Sequence, residues 1–257
     1  MFQTEDFPPR TALATRKTAL FVAAALFLGG CELSGSQPVG YQARVDVAQR
    51  MLVGGQYDSA YRLLDEVSRD HGSHAEALLS VGNAYLQGGA LFKARNAYRT
   101  AIKLGADKRG HLGLGRVALA QNNMSEAFSN FDLVLADDPK NETALNGRAV
   151  AFDLSGDHIR AISAYQALLA INPTNLDALN NLALSHVLGG SGHEAVAILQ
   201  DLTRSQLTDL NLRHNLAIAY YLVGRESEAY DLATAEMSKD QAQQIFHAIR
   251  QYRGSQS

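Results

Sequence analysis

A spacing of 34 residues recurs through most of this 257-residue chain and limits its fold more than any local motif does. Gly156, Gly190 and Gly224 keep that interval, as do Ala149, Ala183 and Ala217. So do Ala127, Ala161, Ala195 and Ala229, and so do Pro139 and Pro173. Upstream, Ala60 and Ala94 stand 34 apart, in step with Gly55 and Gly89, whereas Ala94 and Ala127 are 33 apart. One residue is missing there. Six units follow, at 41–74, 75–107, 108–141, 142–175, 176–209 and 210–236. A repeat of this length is one supersecondary unit that cannot bury its apolar face alone, so neighbours must stack.

Composition says what the unit is made of. Apolar residues are 46% of the chain, only five prolines occur and tryptophan is absent. Alanine and leucine, abundant here, are strong helix formers. Each unit therefore reads as two antiparallel helices. Gly82, Gly115, Ala149, Ala183 and Ala217 on first helices, and the alanines at 60, 94, 127, 161, 195 and 229 on second helices, are small enough for close approach. Glycine between the helices accepts positive φ and ends the first helix. Tyr85, Phe152 and Tyr220, with Tyr98, Phe131 and Tyr165, fill the space between units. Proline stops the second helix.

Ala149, Phe152, Gly156, Ala161, Tyr165 and Pro173 of the fourth unit closely resemble the tetratricopeptide repeat. The resemblance implies an all-α, right-handed superhelical solenoid of about six helix pairs. Some units depart from the motif. Leu104-Gly105-Ala106-Asp107 lacks the proline, Asn122 replaces glycine and His186 stands where an aromatic usually sits. Asparagine tolerates the left-handed conformation that the turn requires. Residues 237–257 are expected to be a capping helix and tail. Ser238 and Gln241 form a capping box, and Ala242, Ile245, Phe246, Ile249 and Tyr252 an apolar stripe that lids the last bare face.

The first 30 residues read as an address. Arg10, Arg16 and Lys17 precede an apolar run from Ala19 to Leu28, too short for a stable membrane span, which needs about 20 residues. Leu28-Gly29-Gly30-Cys31 resembles the lipobox of bacterial lipoproteins. That resemblance implies cleavage before Cys31 and acylation of it, giving an anchor on the periplasmic face of the outer membrane, with the inner membrane as the alternative. Cys31 is the sole cysteine, so no internal disulfide is possible. Residues 31–40 are the lipidated cysteine and a Ser/Gly-rich tether able to reach about 30 Å.

Catalytic chemistry is not found in the sequence. A net charge of −3 speaks against nucleic acid as a partner. Gly113-Leu114-Gly115-Arg116-Val117-Ala118 matches a dinucleotide fingerprint in letters but falls inside a first helix rather than after a strand. His71 and His74, beside Asp70 and Glu76, lie in a loop where solvated polar residues are ordinary, and His193-Glu194 lacks a second histidine. No cofactor, metal or enzymatic activity is expected. Lys93, Arg95, Arg99, Lys103, Lys108, Arg109 and Arg116 read as a solvated face, or else as a patch for an acidic partner or lipid headgroups.

In the tetratricopeptide family, first helices line a concave surface that takes peptides. Carried onto this chain, that layout gives Leu79, Asn83, Leu86, Leu112, Arg116 and Leu119 in the second and third units. The fourth to sixth contribute Asn146, Asp153, Asn180, Leu184, Val187, His214, Ile218 and Tyr221. The leucines suit an amphipathic segment and the asparagines its backbone amides; several of the leucines would equally serve packing between units. Arg213-His214-Asn215-Leu216-Ala217-Ile218-Ala219, then Gly224 and Glu228-Ala229, resemble the TadD-type repeat lipoproteins of tight-adherence (Flp) pilus systems. That resemblance implies a protein partner, the outer-membrane secretin or another pilus-assembly component, and a pilotin-like scaffold role. A type IV pilus pilotin, an adaptor for cell-wall hydrolases, and more remotely an enzyme subunit are the competing readings.

Overall fold

The computed structural model describes residues 40–205 and 209–254; the lipobox, Cys31 and the tether up to residue 39 lie outside the described residues. Thirteen helices and no strand occur among the described residues. The first helices of the six units are α1 (Tyr41–Val53), α3 (Ala75–Gln87), α5 (Asp107–Ala120), α7 (Glu142–Leu154), α9 (Leu176–Leu188) and α11 (Leu210–Leu222). The second helices are α2 (Tyr57–Asp70), α4 (Leu91–Lys103), α6 (Met124–Asp137), α8 (His158–Ile171), α10 (Gly192–Ser205) and α12 (Glu226–Thr234), and α13 (Lys239–Gly254) ends the fold.

The turns explain the periodicity. Gly55, Gly89, Gly156, Gly190 and Gly224 all have φ between 73° and 85°, and Asn122 takes the same role at 55°. The missing residue lies between the second and third units. There Leu104 to Ala106 joins α4 to α5 in three residues, through Gly105 at φ 91°, where Asp138 to Asn141 and Asn172 to Asn175 use four. Side-chain caps start many helices: Asn123, Asn141, Asp157, Asn175 and Asp209 each accept a backbone N–H of the first turn. Glu142 of α7 receives the side-chain amides of both Asn172 and Asn175, at 2.8 and 2.7 Å, which fastens the turn after α8 back onto its own unit.

The core is a chain of local clusters, each shared by neighbouring units. The second-helix alanines at 60, 94, 127, 161, 195 and 229 are all fully buried. Glycine does more than alanine in the middle units. A Cβ on Gly82 or Gly113 would sit 2.8 or 2.4 Å from the Tyr98 ring, and one on Gly115 or Gly147 would sit 2.6 or 2.3 Å from Phe131. Each ring lies in a slot between consecutive first helices that any side chain would fill. Gly113 and Gly115, the letters of the apparent dinucleotide fingerprint, are therefore buried packing positions within α5.

At the far end both bonds of the predicted capping box form: Gln241 N–H donates to Ser238 Oγ at 3.2 Å, and Ser238 N–H to Gln241 Oε1 at 2.9 Å. Phe246 of α13 stacks on Tyr221 at 4.5 Å and meets Tyr230 edge-on at 4.9 Å. Ala242 is buried beside it, and α13 covers the apolar end of the last unit.

Candidate partner-binding groove

Each first helix packs on the next first helix, from α1 to α11, whereas second helices do not pack on one another to a comparable extent. A stack joined more closely through one layer curves around that layer. The inner surface is thus made by α1, α3, α5, α7, α9 and α11, and the period sorts its residues into three rows. Leu79, Leu112, Asn146, Asn180 and His214 form the first row, Asn83, Arg116, Leu184 and Ile218 belong to the second, and Leu86, Leu119, Asp153, Val187 and Tyr221 to the third.

Exposure divides these residues. Asn83 and Arg116 are exposed; Leu86, Leu112, Leu119, Asn146, Asp153, Asn180, Leu184, Val187, His214 and Ile218 are half-buried. Leu79 (6% exposed) belongs to the core around α1 to α4, and Tyr221 (8% exposed) lies beneath α13. Both serve packing. Val150, half-buried, completes the second row and is missing from the sequence reading, although it stands 34 residues before Leu184.

Polar side chains tie the rows together. Tyr98 Oη donates to Asn83 Oδ1 at 2.7 Å, and Arg116 reaches the same oxygen at 3.4 Å. Further along, Asn181 Nδ2 donates to Asn146 Oδ1 at 3.3 Å and Asn215 Nδ2 to Asn180 Oδ1 at 2.8 Å. Asn181 and Asn215 occupy the positions that Gly113 and Gly147 hold in earlier units, and sequence reasoning missed their place in the groove. Asp153, with its side chain 14% exposed, accepts from Ser185 Oγ at 2.6 Å and sits 3.0 Å from His158 Nδ1. Burial, with the Asp153 carboxylate adding to it, pushes the Tyr165 hydroxyl well above the ordinary tyrosine range. His214 continues the asparagine row, but its Nε2 is buried without a partner.

Four cations of the basic stretch are paired with carboxylates, Lys93, Arg95 and Arg109 with those of neighbouring units and Lys108 within its own. Lys93 pairs with Asp65 at 2.7 Å and Arg95 with Glu126 at 2.5 Å. Lys108 pairs with Asp137 and Asp138 at 3.2 and 3.3 Å, and Arg109 binds Glu76. The imidazoles of His71 and His74 lie 5.8 Å apart, and no cluster of three metal-ligating side chains occurs among the described residues.

Comparison with known proteins agrees with this geometry. The tetratricopeptide repeat profile matches residues 48–108, 93–142 and 112–175. No curated protein matches the chain. Among solved structures, PilW, a widely conserved type IV pilus biogenesis factor, aligns over 80% of this chain and 97% of its own at a TM-score of 0.64 and 18% identity. A thermophilic tetratricopeptide protein from Thermus thermophilus aligns over 70% and 98% at 0.61 and 20% identity. One from Parabacteroides merdae aligns over 75% and 77% at 0.56 and 17% identity. The chain is a tetratricopeptide-repeat solenoid, a class of protein-interaction scaffold.

Proposed function

We propose that this chain is a non-catalytic scaffold, anchored to the outer membrane through acylated Cys31, that holds a protein partner of a pilus-assembly machine. The observation that carries this reading is the inner surface itself. Consecutive first helices present half-buried aliphatic side chains and side-chain amides in register, which is the chemistry of a peptide receptor. The repeat match supports a protein partner, and the fold shared with PilW gives pilus assembly preference over cell-wall hydrolysis. The lipobox residues and the TadD-type segment point to the secretin as the partner and to a pilotin-like role in placing it.

The test is copurification of the lipidated chain from membranes of a piliated cell. The secretin is expected with the wild type, and Cys31→Ser is expected to release the chain into the soluble fraction and stop pilus assembly. Recovery of hydrolases in place of secretin, or unchanged membrane fractionation of Cys31→Ser, would overturn the reading.

A further inference from the structure

The two edges of the stack differ in chemistry. Turns inside the helix pairs fall along one edge, and the connecting turns between units fall along the other. In the first five units the helix-pair turns read Gly-Gly-Gln, Gly-Gly-Ala, Gln-Asn-Asn, Ser-Gly-Asp and Gly-Gly-Ser, at 54–56, 88–90, 121–123, 155–157 and 189–191. Their one charged residue, Asp157, pairs with Arg160 at 2.5 Å. The connecting turns and the helix ends beside them carry many more charges, among them Asp70, Lys103, Lys108, Asp137 and Lys140.

Apolar residues beside the helix-pair turns stay out of the core. Val53 and Ile159 are each 80% exposed and Phe92 is 74% exposed; Tyr57, Leu154 and Leu188 are exposed as well. Val53, Leu154 and Leu188 each end a first helix, and Phe92 and Ile159 each stand second in a second helix. On the other edge Leu104, Ile171, Leu176 and Leu210 are only 41–47% exposed, with Lys103, Asp177 and Asp209 as chain neighbours. The sixth unit ends the apolar edge, since its turn brings Arg225, Glu226 and Glu228. Apolar residues scattered singly need no explanation, but a row kept in register marks a docking face.

The row fits the boundary between lipid headgroups and acyl chains, where apolar tips are buried and polar turns stay wet. Chain length permits the contact. The 13 residues of α1 rise about 20 Å from its first residue to that edge, and residues 31–40 reach about 30 Å. An acyl anchor at Cys31 confines the solenoid near the bilayer, so weak apolar contacts suffice to orient it.

Resting on the anchor reading, we infer that the edge formed by the helix-pair turns of the first five units lies on the lipid surface. Val53, Phe92 and Ile159 enter the upper acyl region, and the connecting turns face water. The first helices then stand on the membrane, and the inner surface opens sideways, clear of lipid.

Acylation takes the Cys31 thiol, so an introduced cysteine is the sole thiol for an environment-sensitive dye. The lipidated chain is labelled in turn at Phe92→Cys, Ile159→Cys, Lys140→Cys and Gln166→Cys, the last two exposed on a connecting turn and on α8. Each is placed in vesicles of phosphatidylethanolamine and phosphatidylglycerol, with or without a nitroxide-bearing phospholipid. Nitroxide lipid is expected to lower emission about twofold or more at 92 and 159 and to change 140 and 166 little. Val53→Asp is expected to remove roughly half of the quenching at 92. Equal quenching at every position, quenching at 140 alone, or none at 92 and 159 would overturn the inference. So would a blue shift without quenching, the mark of a second copy or another protein seated on the edge. Intact mass and vesicle flotation keep the two readings apart. A chain without acyl groups counts against the anchor, whereas an acylated, floating chain unquenched at 92 and 159 counts against this inference alone.

Discussion

In the second and third units the large second-helix residue is seated between glycines, whereas in the fourth and fifth the corresponding seats hold alanine and asparagine. Tyr98 lies between Gly82 and Gly113, and Phe131 between Gly115 and Gly147. For Tyr165 and Leu199 the periodic equivalents are Ala149 with Asn181, and Ala183 with Asn215. The hydroxyls part ways too. Tyr98 reaches Asn83 in the second row, while Tyr165 sits beside Asp153, about one helical turn further on. The difference teaches that one position serves two purposes. Where it is glycine, the ring of the preceding unit fills the slot and the groove gains no side chain. Where it is asparagine, the groove gains an amide that bridges to the unit before.

The largest expected effect tests the glycine-seated half. Phe131→Ala should lower unfolding free energy by about 3–5 kcal/mol, because a fully buried ring is removed from a slot that rigid helix backbones keep open. A loss below about 1 kcal/mol in chemical denaturation would mean that the slot collapses freely.

A matched pair comes next. Gly147→Ala should cost about 1–3 kcal/mol because its Cβ has no room beside Phe131. Asn181→Ala, at the equivalent position, should stay within about 1 kcal/mol of wild type, since the lost bond to Asn146 is offset by better helix propensity. Equal costs at the two positions would break the comparison.

Most of the scaffold could be read from the sequence because its cause is local and repeated. The period placed the helix pairs, the glycines placed the left-handed turns, and Ser238 with Gln241 announced α13. What escaped depends on contacts between units. Gly113 and Gly147 fit no small-residue motif on their own, and only the rings of Tyr98 and Phe131 from the preceding units make them necessary. Charge behaved likewise: Lys93, Arg95 and Arg109 find carboxylates 28, 31 and 33 residues away, so a basic run along the chain becomes paired charges across the stack. Position on the inner surface follows the period, and burial departs from it where a neighbour intrudes, as α13 does over Tyr221.

Smaller effects refine the turn between α5 and α6, which alone among these positive-φ turns lacks glycine. Asn122→Ala should destabilise by about 1 kcal/mol, and Asn122→Gly should be neutral or slightly stabilising. Equal stability of the two variants would show that the left-handed backbone carries no strain there.

The smallest effect concerns pH. The backbone N–H of Arg160, followed by its guanidinium, holds the Asp157 carboxyl below its usual range in the folded state. Its stabilisation of α8 is therefore complete above the unfolded carboxylate range and is lost as pH falls through the lowered folded value. Asp157→Asn, still able to cap the helix, should flatten the acid limb of the stability curve; an unchanged slope between wild type and variant would contradict the assignment.

The claim that the inner surface holds the partner is tested most directly by a photocrosslinking residue placed at Leu184 on α9 or at Gln166 on α8, in cells assembling pili. An adduct with a pilus-assembly component from position 184, and none from position 166, is the expected result. Adducts from position 166 with none from 184 would place binding on the second helices and contradict the account.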